Sequence, residues 1–359
     1  MRAIGIVLIF LGAIYRTMAT DNPKRQELSV LCYNVENLFD TIDDPRTDDN
    51  AFLPRGAYHW TPRRYWRKLG RIAEVISRSG LYRFPALVGL VEVENEAVIK
   101  DLVTHTPLSK AGYRYVVTSG RDPRGIDVAL LYRPDAFSLE SWREYNVRLE
   151  REPERHVRHL LLATGRVGSE ALHILLCHLP SRREGARRTE PYRRAVARRM
   201  RQICDSLYTA DPLAHILVMG DFNGLPHDAA TALDLAAALE LPNDLSDLSA
   251  RELRLYNLSA TSPEGTPPGS YYYRGRWEQI DQFIVSESLI LGPGKLRYVL
   301  GSARNYAPPY LGHRPKCAGY LAPWSTYRGT HYTGGYSDHY PIILNLQQST
   351  SELSEEERE

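Results

Sequence analysis

The chain is poor in cysteine, methionine and lysine, and no long apolar run follows its first residues. Four cysteines in 359 residues are too few for a disulfide scaffold. No two of them have the spacing of a zinc site. Cys32 and Cys177 fall inside β-like runs, where a free thiol behaves as a small buried hydrophobe; the even count leaves room for one disulfide, which the sequence does not assign. Charge of one sign is missing too, since the formal net charge is +2. No GxSxG, HExxH, Walker or dinucleotide-binding fingerprint occurs, so the sequence does not point to serine hydrolases, zincins, P-loop enzymes or Rossmann oxidoreductases. Internal repeats and low-complexity linkers are likewise missing.

What is present is an ordinary globular composition, 43% hydrophobic and 25% charged, long enough to bury a large core. Arg2, the apolar stretch Ala3 to Tyr15 and the small-x-small Thr17-Met18-Ala19 predict a cleavable export signal over residues 1–19. A secreted or periplasmic protein starting near Thr20 is therefore expected. A retained anchor is the alternative, and without a cysteine at the cleavage site a lipoprotein anchor is disfavoured. The acidic tail 351–359 has almost nothing to bury and is expected to be disordered, which leaves residues 20–350 for the folded part.

Of the 45 basic residues six are lysine, and the rest are arginine, whose planar guanidinium suits bidentate contact with phosphate. A GC-rich genome produces the same bias. The basic residues cluster at Arg63, Arg64, Arg67, Lys68 and Arg71, and again between Arg182 and Arg201; in the second stretch a solvated helix face explains them equally well.

Short apolar runs bounded by turn formers predict buried strands at Leu28 to Tyr33, Ala86 to Val91, Val128 to Tyr132, Leu172 to Cys177, His215 to Met219, Ile280 to Val285 and Ile342 to Leu346. Thr61 as N-cap and Pro62 at the first helical position open an amphipathic helix that stops near Ser79-Gly80, and a second helix is expected from Pro191 to Tyr208. Strands interleaved with helices make an α/β protein. The Pro-, Gly- and Tyr-rich stretch Gly301 to Tyr336 shows neither period and reads as a long loop.

Polar residues recur at the strand ends. They are Asn34-Val35-Glu36-Asn37, Glu92-Val93-Glu94-Asn95, His178-Leu179-Pro180-Ser181-Arg182, Gly220-Asp221-Phe222-Asn223, Asp281-Gln282 and Ser337-Asp338-His339-Tyr340-Pro341. Singly, each is more often a cap or a turn than a catalyst. Six in succession, all carrying Asp, Glu, Asn or His, are harder to dismiss. In this order they resemble the endonuclease/exonuclease/phosphatase superfamily of repair nucleases, deoxyribonucleases, sphingomyelinases and inositol polyphosphate 5-phosphatases, over roughly residues 28 to 347.

The resemblance implies a single-domain four-layer sandwich, two mixed β-sheets face to face with helices outside, and a divalent cation, Mg²⁺ or Mn²⁺ with Ca²⁺ as an alternative. It places Glu92, Glu36, Asn34 and Asp338 at the metal. Asp221 falls where the family orients or deprotonates the attacking water, Asn223 and His178 where it contacts the phosphate, and Asp281 with His339 where it pairs a carboxylate with an imidazole. The chemistry wants these types independently: hard cations take oxygen ligands, and a carboxylate beside an imidazole favours its protonated form. Two departures stand out. Asp127 is a partner for His178 only by loose alignment, and Gln282 stands where many members carry His or Tyr.

For the substrate, Gly224-Leu225-Pro226 disfavours the 5-phosphatase branch, which carries an Arg there. The aromatic and basic residues of Gly301 to Tyr336, with Arg182, Arg314, Tyr327 and Arg328 as the expected substrate contacts, fit a nucleic acid. A phospholipid or sphingomyelin-type diester is the alternative, and a non-catalytic module is disfavoured because no core carboxylate is missing. No obligate protein partner is implied, and a monomer is expected.

Overall fold

The computed structural model describes residues 25–80, 83–150, 152–242, 252–314 and 319–349. The expected export signal, the acidic tail and Cys317 lie outside the described residues. Strands β1 (Arg25–Leu38), β2 (Leu87–Val93), β3 (Arg114–Val117), β4 (Asp127–Tyr132), β5 (Ser138–Tyr145), β6 (Leu160–Val167), β7 (Glu170–His178), β8 (His215–Asp221), β9 (Ala237–Ala238) and β10 (Leu255–Asn257) come first. There follow β11 (Tyr271–Tyr273), β12 (Arg276–Glu278), β13 (Asp281–Ser286), β14 (Leu296–Tyr298), β15 (Arg304–Asn305), β16 (Gly312–His313), β17 (Ala322–Pro323), β18 (Tyr327–Arg328), β19 (His331–Tyr332) and β20 (Ile342–Ser349). The helices are α1 (Pro62–Ser79), α2 (Glu96–Thr104), α3 (Ala186–Ala210) and α4 (Glu287–Leu291).

Two mixed sheets result, one ordered β14-β20-β1-β2-β4-β3 with β15 added beside β20, the other β5-β6-β7-β8-β13-β10-β9. Each has one central parallel pair, β1 with β2 and β7 with β8, flanked by antiparallel neighbours. Because strand side chains alternate between faces, Leu28, Val30 and Cys32 point into the core shared by both sheets, whereas Leu31, Tyr33 and Val35 point outward beneath α1 and α2. On the second sheet Leu175, Ile216 and Val218 meet Val196, Met200 and Ile203 of α3. The expected four-layer α/β sandwich is thus formed. Gly89 sets the spacing at its centre, since a Cβ there would lie 2.8 Å from Met219 and 2.9 Å from Leu176 of the facing sheet.

Three expectations need correction. Helix α3 begins at Ala186, so Pro191 lies inside it, in its second turn. Helix α1 starts at Pro62 as expected, but the side chain of Thr61 makes no capping bond. The stretch Gly301 to Tyr336 contains β15, the two-residue hairpins β16–β17 and β18–β19, and a short helical turn at Pro309–Leu311. These segments are ordered by partners far away in sequence rather than by any local period: β15 pairs with β20, while Tyr306, Thr326, Tyr332 and Tyr336 contact α1.

Candidate active site

Register aligns three of the motif residues in one row. His178 pairs with Asp221 across the parallel β7–β8 ladder, and Asp221 pairs with Asp281 across the antiparallel β8–β13 ladder. Gly220 makes this possible: its φ is +149°, and a Cβ there would sit 2.0 Å from the Cys177 carbonyl oxygen. From the other sheet, the end of β1 supplies Asn34, whose Nδ2 donates to Asp221 Oδ2 at 3.0 Å. Motifs 187 residues apart are thereby joined by a single hydrogen bond.

The backbone is unusual at these strand ends. Glu36 (φ 53°), Asn37 (φ 53°), Glu92 (φ 66°) and Asn223 (φ 46°) all lie in the left-handed region, which a non-glycine residue enters at a cost of about 1–2 kcal/mol. Each conformation is held by a neighbour. The Asn37 amide donates to Glu92 Oε2 at 2.9 Å, the Glu36 amide to Asn34 Oδ1 at 3.0 Å, and the Asn223 amide to Asp221 Oδ1 at 2.8 Å. Strain gathered at one spot and fixed by bonds is typical of functional sites.

The two imidazoles are in opposite states. His339 Nδ1 lies 2.7 Å from Asp281 Oδ2, and the same oxygen accepts from Ser270 Oγ at 2.6 Å. Burial alone would lower the His339 pKa, but Asp281 and Asp338 outweigh it and hold the ring well above the usual histidine value. It is an imidazolium at neutral pH. His178 is driven well below that value, first by burial and then by Arg158 and Arg124, and is neutral. Its Nε2 stands 3.5 Å from Asp221 Oδ2 and 3.9 Å from Glu92 Oε1, and its buried Nδ1 has no hydrogen-bond partner among the described residues. Asp127 does not supply one, because it accepts instead from Thr118 Oγ1 and the Gly120 amide.

The carboxylates divide as well. Asp221 is pushed up to about 7 by burial and by Asp281, against the pull of His339. Glu92 would also be raised by burial, yet Arg124, His339, Arg158 and Arg183 bring it below the usual carboxylate value. Glu36 is pushed up to about 7 by burial and Asp338, and Asp338 is raised by desolvation and by Glu92, against the pull of His339. Glu36 and Glu92 thus each repel Asp338, and Lys68 Nζ stands 3.9 Å from Glu36 Oε2. Carboxylate oxygens are the donors a hard divalent cation takes, although both Glu36 oxygens already accept from the Thr326 and Tyr327 amides. Among the described residues, the grouping whose ligand atoms all lie within 4.8 Å of one another is Asp221, Asp281 and His339. The His339–Asp281 bond already uses part of it.

Of the residues expected at the metal, Asn34 is the most committed, since its amide nitrogen serves Asp221 and its oxygen serves the Glu36 amide. Asn223 is similarly engaged, donating from Nδ2 to the Leu179 carbonyl at 3.0 Å. Among the expected substrate contacts, Arg314 and Arg328 line a cavity of about 490 Å³ together with Tyr272, His313, Ser325 and Asp338. Arg182 differs, because its guanidinium is paired in bidentate fashion with Glu278. Tyr327 differs too. Its ring packs against Tyr58 and Trp60, its hydroxyl donates to the Tyr58 carbonyl at 2.9 Å, and only its backbone amide turns to Glu36.

Two residues escaped the sequence reading. Ser270, the hydroxyl partner of Asp281, precedes a run of tyrosines that gives no local signal. Lys68 was grouped with the arginines around it, but it is buried and donates to Thr326 Oγ1 at 2.6 Å and the Tyr336 carbonyl at 2.8 Å. Its position among Tyr65, Leu69, Ile72 and Val75 on the apolar face of α1 is the signal that could have separated it.

The comparisons with known proteins agree with this fold. The chain belongs to the endonuclease/exonuclease/phosphatase family, whose model matches residues 29–348. The catalytic domain of human Nocturnin with bound sulfate is similar in fold at 14% identity and a TM-score of 0.51, over 90% of this chain and 97% of that one. A family protein from Bacteroides thetaiotaomicron gives 14% identity and a TM-score of 0.53, over 91% and 97%. TDP2 from D. rerio, complexed with a single-strand DNA product, gives 15% identity and a TM-score of 0.52, over 89% and 98%. No curated protein matches the chain in sequence.

Proposed function

We propose that this chain is a divalent-metal-dependent phosphodiesterase whose substrate is nucleic acid. The observation that carries the reading is the cavity of about 490 Å³ where Asp338, at the acidic cluster, faces Arg314, Arg328, His313 and Tyr272. Guanidinium groups beside a half-buried ring, with Asp338 in the same wall, suit a phosphodiester strand with bases attached. Similarity in fold to TDP2 holding single-strand DNA product supports the same reading.

Glu92, Asp338 and Glu36 are the residues that would hold the cation, which when bound stabilises charge developing on the non-bridging phosphate oxygens. The remaining roles fall to the chain itself. Asp221, poised near neutrality, orients the attacking water and takes its proton. The His339 imidazolium, kept charged by Asp281, faces the phosphate as a cationic hydrogen-bond donor. Neutral His178 contributes a second donor, and Asn34 and Asn223 hold Asp221 in place.

The apolar N-terminal segment supports export to the periplasm or medium. Among the described residues no helix is long and apolar enough to cross a membrane. Incubating purified protein with plasmid DNA, RNA, sphingomyelin and bis-p-nitrophenyl phosphate, each with Mg²⁺, Mn²⁺, Ca²⁺ or EDTA, tests the function. Metal-dependent cleavage of DNA or RNA supports it; cleavage of sphingomyelin without nucleic acid replaces it with a lipid phosphodiesterase. Terminal sequencing of exported protein tests the signal, with a start near Thr20 expected.

A further inference from the structure

Apart from the catalytic cavity, a second basic pocket stands at the start of α1. It has a volume of about 320 Å³ and is lined by His59, Thr61, Arg63, Arg64, Arg67 and Tyr332, with no carboxylate among them. Two of the three guanidiniums are fixed by the β18–β19 segment. Arg64 lies over the Tyr332 ring at 4.3 Å and donates to the carbonyls of Tyr58 and His59. Arg67 lies against Gly334 so closely that a Cβ there, at a residue with φ +68°, would come within 3.1 Å of its Cζ. Arg63 and Arg67 form no ion pair among the described residues, in contrast to Arg182, Arg194 and Arg201.

Three uncompensated arginines, of which Arg64 is held by aromatic and backbone contacts and Arg67 lies against Gly334, resemble an anion site more than a solvated helix face. Free surface arginines normally find a carboxylate or wave in water. The location matters as well. The β18–β19 hairpin stands between the two cavities: Arg328 lines the catalytic one, Tyr332 lines this one, and the Thr326 amide donates to Glu36 Oε2 at 2.6 Å. A strand leaving the catalytic cavity over the hairpin would meet this pocket next.

We propose that Arg63, Arg64 and Arg67 form a second phosphate subsite, which grips the backbone of a nucleic-acid strand away from the scissile bond. The proposal rests on the nucleic-acid reading above and adds to it a fixed contact outside the catalytic machinery. Small diesters cannot reach both cavities, so the subsite selects polymers by affinity and leaves the chemical step alone.

The test uses the full chain in an Asp221→Asn background, so that a labelled single-stranded oligothymidylate survives the binding assay. Arg63→Gln/Arg67→Gln, with a charge-reversing Arg63→Glu/Arg67→Glu as the stronger variant, should weaken binding by ~10-fold or more. Removing two phosphate contacts should also lower the salt slope by about 1.4, at ~0.7 per single-strand contact. With Asp221 intact, turnover of bis-p-nitrophenyl phosphate should be unchanged in both variants. Unchanged affinity and slope overturn the subsite while the nucleic-acid reading stands. Equal losses on the polymer and on bis-p-nitrophenyl phosphate overturn it in favour of a structural role for the two arginines. Binding to phosphatidylserine vesicles that falls in the variants while oligothymidylate binding holds assigns the pocket to membranes and overturns it too. Failure of the parent protein to bind any oligonucleotide overturns the nucleic-acid reading itself, and the subsite with it.

Discussion

Asp281 lies directly across the β8–β13 ladder from Asp221, yet the two carboxylates have different company: Asp281 Oδ2 meets the His339 ring at 2.7 Å, and Asp221 Oδ2 meets the Asn34 amide at 3.0 Å. Burial and the neighbouring Asp281 carboxylate push Asp221 up to about 7, which gives the site a base near neutrality beside the Asp281–His339 pair. Because Asp281 acts through His339, Asp281→Asn and His339→Ala should each lower turnover of bis-p-nitrophenyl phosphate by ~10² or more. The double variant should lose little beyond either single one, as residues acting as a unit do. Multiplicative losses would show that the two side chains contribute independently.

Asp221 sets the acid limb of the rate profile. With its pKa near 7 it must lose a proton to act, so kcat/KM should rise with pH and level off above neutrality. A cation bound nearby favours the carboxylate and moves the limb to lower pH, further with tighter binding. Asp221→Asn should remove both the activity and the limb. A profile flat between pH ~5 and ~8 would take Asp221 out of the base role.

The same buried acids make the stability of the metal-free protein depend on pH. Glu36 rises from 4.5 to about 7, Asp221 from 3.8 to about 7 and Glu94 from 4.5 to about 8, so the folded chain holds protons that the unfolded chain has released. Stability therefore falls as pH climbs from about 4 to about 8. His339, raised when folded, adds to the fall: its contribution is complete below 6.5 and is lost as pH rises through its higher folded pKa. His178, depressed when folded, works the other way up to 6.5. In EDTA the thermal midpoint should be lower near pH 8 than near pH 6, and Mg²⁺ should restore more of it at the higher pH. Since ~1 kcal/mol shifts a midpoint by ~2–4 °C in a protein this large or somewhat smaller, calorimetry resolves the difference. A midpoint indifferent to both Mg²⁺ and Mn²⁺ at high pH would argue against a cation among Glu36, Glu92 and Asp338.

Where local pattern and tertiary role coincide, the sequence is legible. Strands β2, β4, β8 and β13 are buried on both faces, and β1, β7 and β20 are so over their apolar stretches, so each announces itself as an apolar run, and polar residues flanking them mark the site. Strand β5 is a mostly exposed edge, Ser-Leu-Glu-Ser-Trp-Arg-Glu-Tyr, and gives no such signal. The first turn of α3, Ala-Arg-Arg-Thr-Glu, is polar all round, which hides it ahead of Pro191. Segment 301–336 owes its order to single long-range bonds, such as Lys68 to Tyr336 and Tyr306 Oη to the Arg78 carbonyl at 2.8 Å. Such bonds link residues more than 200 positions apart and leave no local trace.

The cavity wall gives the prediction that separates binding from support. Arg314 and Arg328 line the cavity at Asp338, whereas Tyr327, between Tyr58 and Trp60, belongs to the packing beneath the hairpin. Arg314→Ala/Arg328→Ala should therefore weaken oligonucleotide binding and flatten its salt dependence, with kcat for bis-p-nitrophenyl phosphate, as distinct from its KM, within about twofold of the parent. Tyr327→Ala should do the reverse. It strips a half-buried ring of its aromatic neighbours and removes the donor to the Tyr58 carbonyl, a change expected to cost ~2–4 kcal/mol. Because the Tyr327 and Thr326 amides meet Glu36, loosening the hairpin also disturbs the acidic cluster, so the variant should lose activity on small and large substrates alike. Thermal melts alongside the two assays decide the matter. A Tyr327→Ala protein with a normal midpoint and a loss confined to nucleic acid would return that ring to the substrate surface.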